Sequence, residues 1–84
     1  MKTSSVSFAH LRRLLLDLQF VEARTDDGYW RFEHPASGAV FLFRPYAAND
    51  HVTVQDLAST RTHLDWRGLL PGNTFDDALT KTPA

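Results

Sequence analysis

Two turn signals constrain this chain more than any other feature of its sequence. Asp26-Asp27-Gly28 and Pro35-Ala36-Ser37-Gly38 are separated only by Tyr29 to His34, a stretch of strand length. Asp-Gly supplies the positive φ that a tight hairpin turn needs, and a Pro-Ala-Ser-Gly cluster is a turn of the same kind. The segments on either side must then run antiparallel: Phe20 to Thr25, Tyr29 to His34 and Ala39 to Arg44.

Strand periodicity divides the side chains between two faces. On the middle segment Trp30, Phe32 and His34 share one side, and Tyr29, Arg31 and Glu33 share the other. Because Trp30 travels with Phe32, its side is assigned to the core. "AVFLFR" carries Val40 and Leu42 on one face and Phe41 and Phe43 on the other before Pro45 ends it. A strand apolar on both faces is expected at the centre of a sheet or under a partner.

The flanking segments change to helical spacing. Ser7 is placed to cap a helix from Phe8 to about Gln19, with Phe8, Leu11, Leu15 and Leu18 on one stripe and Leu14 widening it. After the loop "YAAND", Thr53-Val54-Gln55-Asp56 resembles a capping box. It opens a helix from Val54 to about Arg67, with Leu57, Ala58 and Leu64 inward and Gly68 as its left-handed stop. Pro71-Gly72-Asn73 reads as a turn, and a short helix from Thr74 is anchored by Phe75 and Leu79. The expected fold is α+β, in the order α-β-β-β-α plus a short helix. Two helices cover one face of a three-stranded antiparallel sheet, and the other face stays wet or available.

Length suits a single domain. With 84 residues the chain has one core, expected over residues 6–79, with a frayed tail after Thr80. Its 43% hydrophobic and 12% aromatic content is enough for that core, and 23% charged residues argue against disorder. Cysteine is absent, which removes disulfides, thiolate catalysis and cysteine zinc sites. No apolar run approaches the roughly 20 residues of a membrane span, and "MKTSSVSFAH" has no apolar stretch of the secretory kind, so a cytoplasmic location is expected.

A formal net charge of −1 is not the basic footprint usual in a nucleic-acid binder. Arg12, Arg13, Arg24, Arg31 and Arg44 nevertheless lie in the first half, and Asp50, Asp56, Asp65, Asp76 and Asp77 in the second, a distribution that allows a local basic face. Aromatic and arginine side chains on an open sheet can stack bases and hold phosphates. Arg24, Gly28, Tyr29, Arg31 and Arg44 are the expected RNA-binding set; plain cross-strand pairing of Tyr29, Arg31 and Glu33 is the alternative. No serine triad, phosphate-cradling glycine loop or paired-carboxylate site is visible. The four histidines show no metal-ligand spacing, and no metal or cofactor is expected.

Taken together, "FAHLRRLLLDLQFVEAR", "FEHPASGAVFLF" and "VTVQDLASTRTHLDWRGL" resemble the HicA family of bacterial toxin–antitoxin toxins. The resemblance runs from about Ser7 to Leu70. It rests on a helix ending near Phe20 and on the "F-x-H-P" shape at Phe32-Glu33-His34-Pro35. An apolar third strand and a closing helix with Asp56, Leu57, Arg61, Leu64 and Gly68 complete it. It implies a double-stranded-RNA-binding-like fold, an mRNA endonuclease (interferase) activity, RNA as ligand and a HicB-like antitoxin as partner. It also implies a catalytic histidine in a Gly-Ser/Thr-His motif opening the second strand. That motif falls on Asp27-Gly28-Tyr29, where the histidine is replaced by Tyr29.

Metal-free RNA cleavage needs a group that takes the 2′-hydroxyl proton near neutrality, a task suited to histidine. A phenol, ionised near pH 10 in its ordinary state, is a poor base at pH 7 though a good hydrogen-bond donor. Cleavage is therefore expected to be absent or reduced, with Tyr29 left to stack on or orient RNA. Substitute bases are His34, on the opposite strand face from Tyr29, or His51 before the second helix; His10 and His63 sit within helices. A protein-interaction module that uses the sheet to bind an antitoxin-like partner is the alternative from a different class.

Overall fold

The computed structural model describes residues 3–80; the expected frayed tail after Thr80 lies outside them. The elements run β1 (Thr3–Ser7), α1 (Phe8–Asp17), β2 (Val21–Arg24), β3 (Trp30–His34), β4 (Ala39–Phe43), β5 (His51–Thr53), α2 (Val54–Trp66) and α3 (Gly72–Thr80). β2, β3 and β4 form an antiparallel sheet in that order. Its register places Arg31 between Ala23 and Leu42, Phe32 between Glu22 and Phe41, and Glu33 between Val21 and Val40.

One core holds the layers together. Phe8, Leu11 and Leu15 of α1 meet Phe32, Ala39, Phe41 and Phe43 of the sheet, with Leu64 of α2 and Phe75 and Leu79 of α3 in the same cluster. The rings of Phe8 and Phe32 cross at 65° with centroids 6.3 Å apart, and Phe32 meets Phe43 at 71° and 5.8 Å, edge-to-face geometry that aromatic quadrupoles favour. All three helices thus lie on one face of the sheet, and the α+β expectation holds.

Five details depart from the sequence reading. Among the described residues β4 is an edge strand, paired only with β3, and the centre belongs to β3. Its inner residues are buried while Val40 and Leu42 face out, so two apolar faces did not mean a central position. Second, β1 and β5 form a two-stranded antiparallel sheet that periodicity did not announce, since Thr3–Ser7 holds three serines and one valine. Its support is hydrogen bonding, including Ser4 Oγ to the Val52 carbonyl at 2.8 Å and Phe8 N–H to the Asp50 carbonyl at 2.8 Å. Third, Ala58 is exposed, and Thr60 occupies the inward position on α2, its hydroxyl donating to the Asp56 carbonyl one turn back.

Fourth, α1 stops two residues before Gln19, which takes φ 76°. Phe20 N–H donates to the Leu15 carbonyl and Gln19 N–H to that of Leu16, the Schellman pattern normally served by glycine. α2 ends in the same pattern with the expected Gly68 at φ 72°, bonding Gly68 N–H to the Asp65 carbonyl and Leu69 N–H to that of Leu64. Fifth, α3 begins at Gly72 rather than after a Pro-Gly-Asn turn. Phe75 N–H donates to the Pro71 carbonyl, and a Cβ on Gly72 would stand 2.7 Å from the Arg61 guanidinium carbon, so a side chain here would displace the flexible end of Arg61.

Candidate functional site

The two adjacent aromatics after the first turn point in opposite directions. Asp26-Asp27-Gly28 is a three-residue hairpin loop: Gly28 N–H donates to the Thr25 carbonyl, Thr25 N–H to that of Tyr29, and Gly28 takes φ 87°, the left-handed position such a loop demands. Tyr29 N–H is held by the Thr25 hydroxyl at 3.1 Å, and its side chain is 45% exposed. Trp30 turns inward and packs on Phe8 at 5.2 Å, while its indole N–H donates to the Tyr46 carbonyl at 3.1 Å. It is half-buried, forming the rim of the core rather than its centre.

The expected RNA-binding set is not gathered on one surface. Tyr29 and Arg31 share the outward parity of the strand. Arg24 is the cross-strand partner of Trp30 and therefore belongs to the inner side, where its guanidinium lies 4.3 Å over the indole and its Nε donates to the Gly28 carbonyl. Arg44 leaves the end of β4 towards α2, where it stands 3.6 Å from Asp56. Gly28 serves the turn.

Five arginines stand beside a carboxylate. Arg12 forks onto both Glu22 oxygens, Arg13 pairs with Asp17, Arg31 with Glu33 at 3.1 Å, and Arg61 with Asp76 at 3.0 Å. Arg44–Asp56 joins the basic half of the sequence to the acidic half. The Arg12 guanidinium, hydrogen-bonded to Glu22, holds that carboxyl below the usual carboxylate range, and the same bond pushes Arg12 up; partial burial opposes both.

What remains is an open sheet face with a neutral centre. Arg31 and Glu33 form an ion pair along β3, and aliphatic side chains flank them. Val21 is 58% exposed on β2, and Val40 and Leu42 are 44% and 63% exposed on β4. Ala23 lies beside them, across from Arg31.

The histidines are dispersed. His34 belongs to the β3–β4 turn: its Nδ1 accepts from Ser37 N–H at 3.2 Å and lies 2.8 Å from the Ser37 hydroxyl, with its ring 5.0 Å from that of Phe20. His51 is exposed in β5 opposite Ser7, and His63 is exposed on α2 with its ring 6.0 Å from Phe41. Among the described residues no group of three or more His, Asp or Glu side chains could hold a metal ion.

Sequence reasoning missed Tyr46, which it left in a loop. Tyr46 is buried, stacked on Phe8 at 5.2 Å; its hydroxyl donates to Asp56 Oδ2 at 2.6 Å and accepts from Thr53 N–H at 3.1 Å. The expected capping box is thereby half replaced. Thr53 Oγ1 accepts from Asp56 N–H as foreseen, but the Tyr46 hydroxyl stands between the Asp56 carboxylate and Thr53 N–H. An aromatic inside an otherwise polar loop was the available signal. Compared with known protein families, with curated proteins and with solved structures, the chain matches none.

Proposed function

We propose that this chain is a HicA-like domain that no longer cuts RNA and binds a protein partner of the HicB type through its open sheet face. One observation carries this reading: the outward side chains are Val21, Val40 and Leu42 around an ion pair that cancels itself. Such a surface offers apolar area to a protein and little field to a polyanion. Tyr29 at the place where the family's histidine is expected supports the loss of cleavage, since a phenol is a poor base near neutrality. Among the described residues no helix is long and apolar enough to cross a membrane, and a cytoplasmic site of action goes with the HicA-like reading.

RNA binding without cleavage is the second reading. It is favoured by the exposure of Tyr29 at the hairpin corner with Arg31 on the same face, an arrangement on which a base could stack. Cleavage through His34 or His51 has the least support, because the His34 Nδ1 is already held by the Ser37 backbone and hydroxyl.

The experiment pairs the purified chain with a HicB-type antitoxin and, separately, with single- and double-stranded RNA, at low and high salt. The expected result is a complex with the protein that survives high salt and is weakened about tenfold or more by Val21→Lys. RNA is neither shifted nor degraded. Val21→Lys lies opposite Glu33, so it leaves the fold an ion partner while placing a charge on the apolar face. An RNA shift that falls steeply with salt and strengthens in Val21→Lys would establish the second reading instead. Cleavage that disappears in Tyr29→Phe would overturn both.

A further inference from the structure

The two edges of the main sheet are built differently. β2 exposes an edge whose inward positions carry Glu22 and Arg24, opposite Phe32 and Trp30, and charges turned inward on an edge strand are a device against edge-to-edge pairing. β4 has no such device. From Ala39 to Phe43 it contains no charge, no proline and no bulge, and its register with β3 is unbroken over five pairs. Among the described residues, no backbone hydrogen bond outside its pairing with β3 reaches Ala39–Phe43 except Ala39 N–H to the Ser37 hydroxyl at 3.3 Å. Alternate amides and carbonyls of a strand point to each side, so one row faces outward from the sheet edge.

We infer that β4 pairs antiparallel with β4 of a second copy of this chain, joining two three-stranded sheets into one of six strands. This goes beyond the proposed face-binding function, since it uses the strand edge and requires no other protein. A second copy fits for three reasons. Antiparallel pairing centred on Phe41 sets Val40 beside the partner subunit's Leu42 and Leu42 beside the partner subunit's Val40, so aliphatics now 44% and 63% exposed cover one another. The strand is uncharged, so identical strands meet without like-charge repulsion, and a whole-chain net charge of −1 adds little. The pairing is isologous, and the guarded β2 edges at the two ends stop growth at a dimer rather than a filament. About four to six backbone hydrogen bonds form across the dyad, depending on which amides face outward. A single strand pair is smaller than a standard stable interface, so the dimer depends on concentration.

Sedimentation equilibrium over a micromolar-to-millimolar series, with backbone amide exchange measured at both ends, tests this. The expected mass rises from one chain towards two as concentration rises, and exchange slows at β4 but not at β2. Leu42→Lys, a change at an outward position, is expected to remain monomeric at every concentration with an unchanged circular dichroism spectrum. A monomer throughout the wild-type series overturns the inference, as does a dimer that forms equally well in Leu42→Lys. Because Val21 lies on the opposite strand of the sheet, loss of the dimer would leave the Val21→Lys result on the face-binding partner standing, and the reverse also holds.

Discussion

Tyr46 shows how much one hydroxyl can organise. It closes the N-terminus of α2 by taking Thr53 N–H and Asp56 together, its carbonyl holds the Trp30 indole, and its ring stacks on Phe8. Tyr46→Phe keeps the ring and removes the acceptor of a buried backbone N–H, which costs about 1–3 kcal/mol. Urea denaturation should show that loss; an unchanged midpoint would mean that the hydroxyl is replaceable by water. At the same scale, strand parity alone separated Tyr29 from Trp30, because adjacent residues on a strand cannot share a face. Parity also placed Arg31 with Tyr29. It said nothing of Arg24's stacking on Trp30 or Arg44's approach to Asp56, which depend on side chains meeting across elements.

At the level of elements, the two helix ends make a natural comparison. α1 and α2 close with the same pair of reversed hydrogen bonds, but the left-handed position is Gln19 in one and Gly68 in the other. A side chain in that conformation costs roughly 1–2 kcal/mol, and glycine relieves it at the expense of a more mobile unfolded chain. Gln19→Gly is therefore expected to stabilise the protein by up to about 1 kcal/mol, read as a higher denaturation midpoint; destabilisation would show that Gln19 makes a compensating contact. Gly68 was legible as a stop because glycine announces positive φ, whereas Gln19 carries no such mark. The hairpins were legible for the same reason as Gly68. β1 and β5 were not, since short polar strands owe their existence to a partner distant in the chain rather than to their own periodicity.

For the molecule as a whole, acid stability depends in part on the tie between α1 and β2. Glu22 is held below its ordinary range by Arg12, so its contribution is complete above about pH 4.3, the unfolded value, and is lost as pH falls through the lower folded one. With Arg12 and Glu22 side chains 42% and 27% exposed, solvent screening keeps that contribution under about 1 kcal/mol. Thermal melts of the wild type and Glu22→Gln should differ near neutrality and converge in acid, once pH falls below the lowered folded value; a constant gap would remove the ion pair as its cause. The order of helices and main-sheet strands, the antiparallel meander and the inward faces of α1 and β3 follow from turn chemistry and from periods of 2 and 3.6, which are local and therefore readable along the chain. The edge position of β4, the pairing of β1 with β5, and the meeting of Arg44 with Asp56 emerged on folding. Each is a relation between residues far apart in the chain, and no local period or composition encodes which distant surfaces will meet.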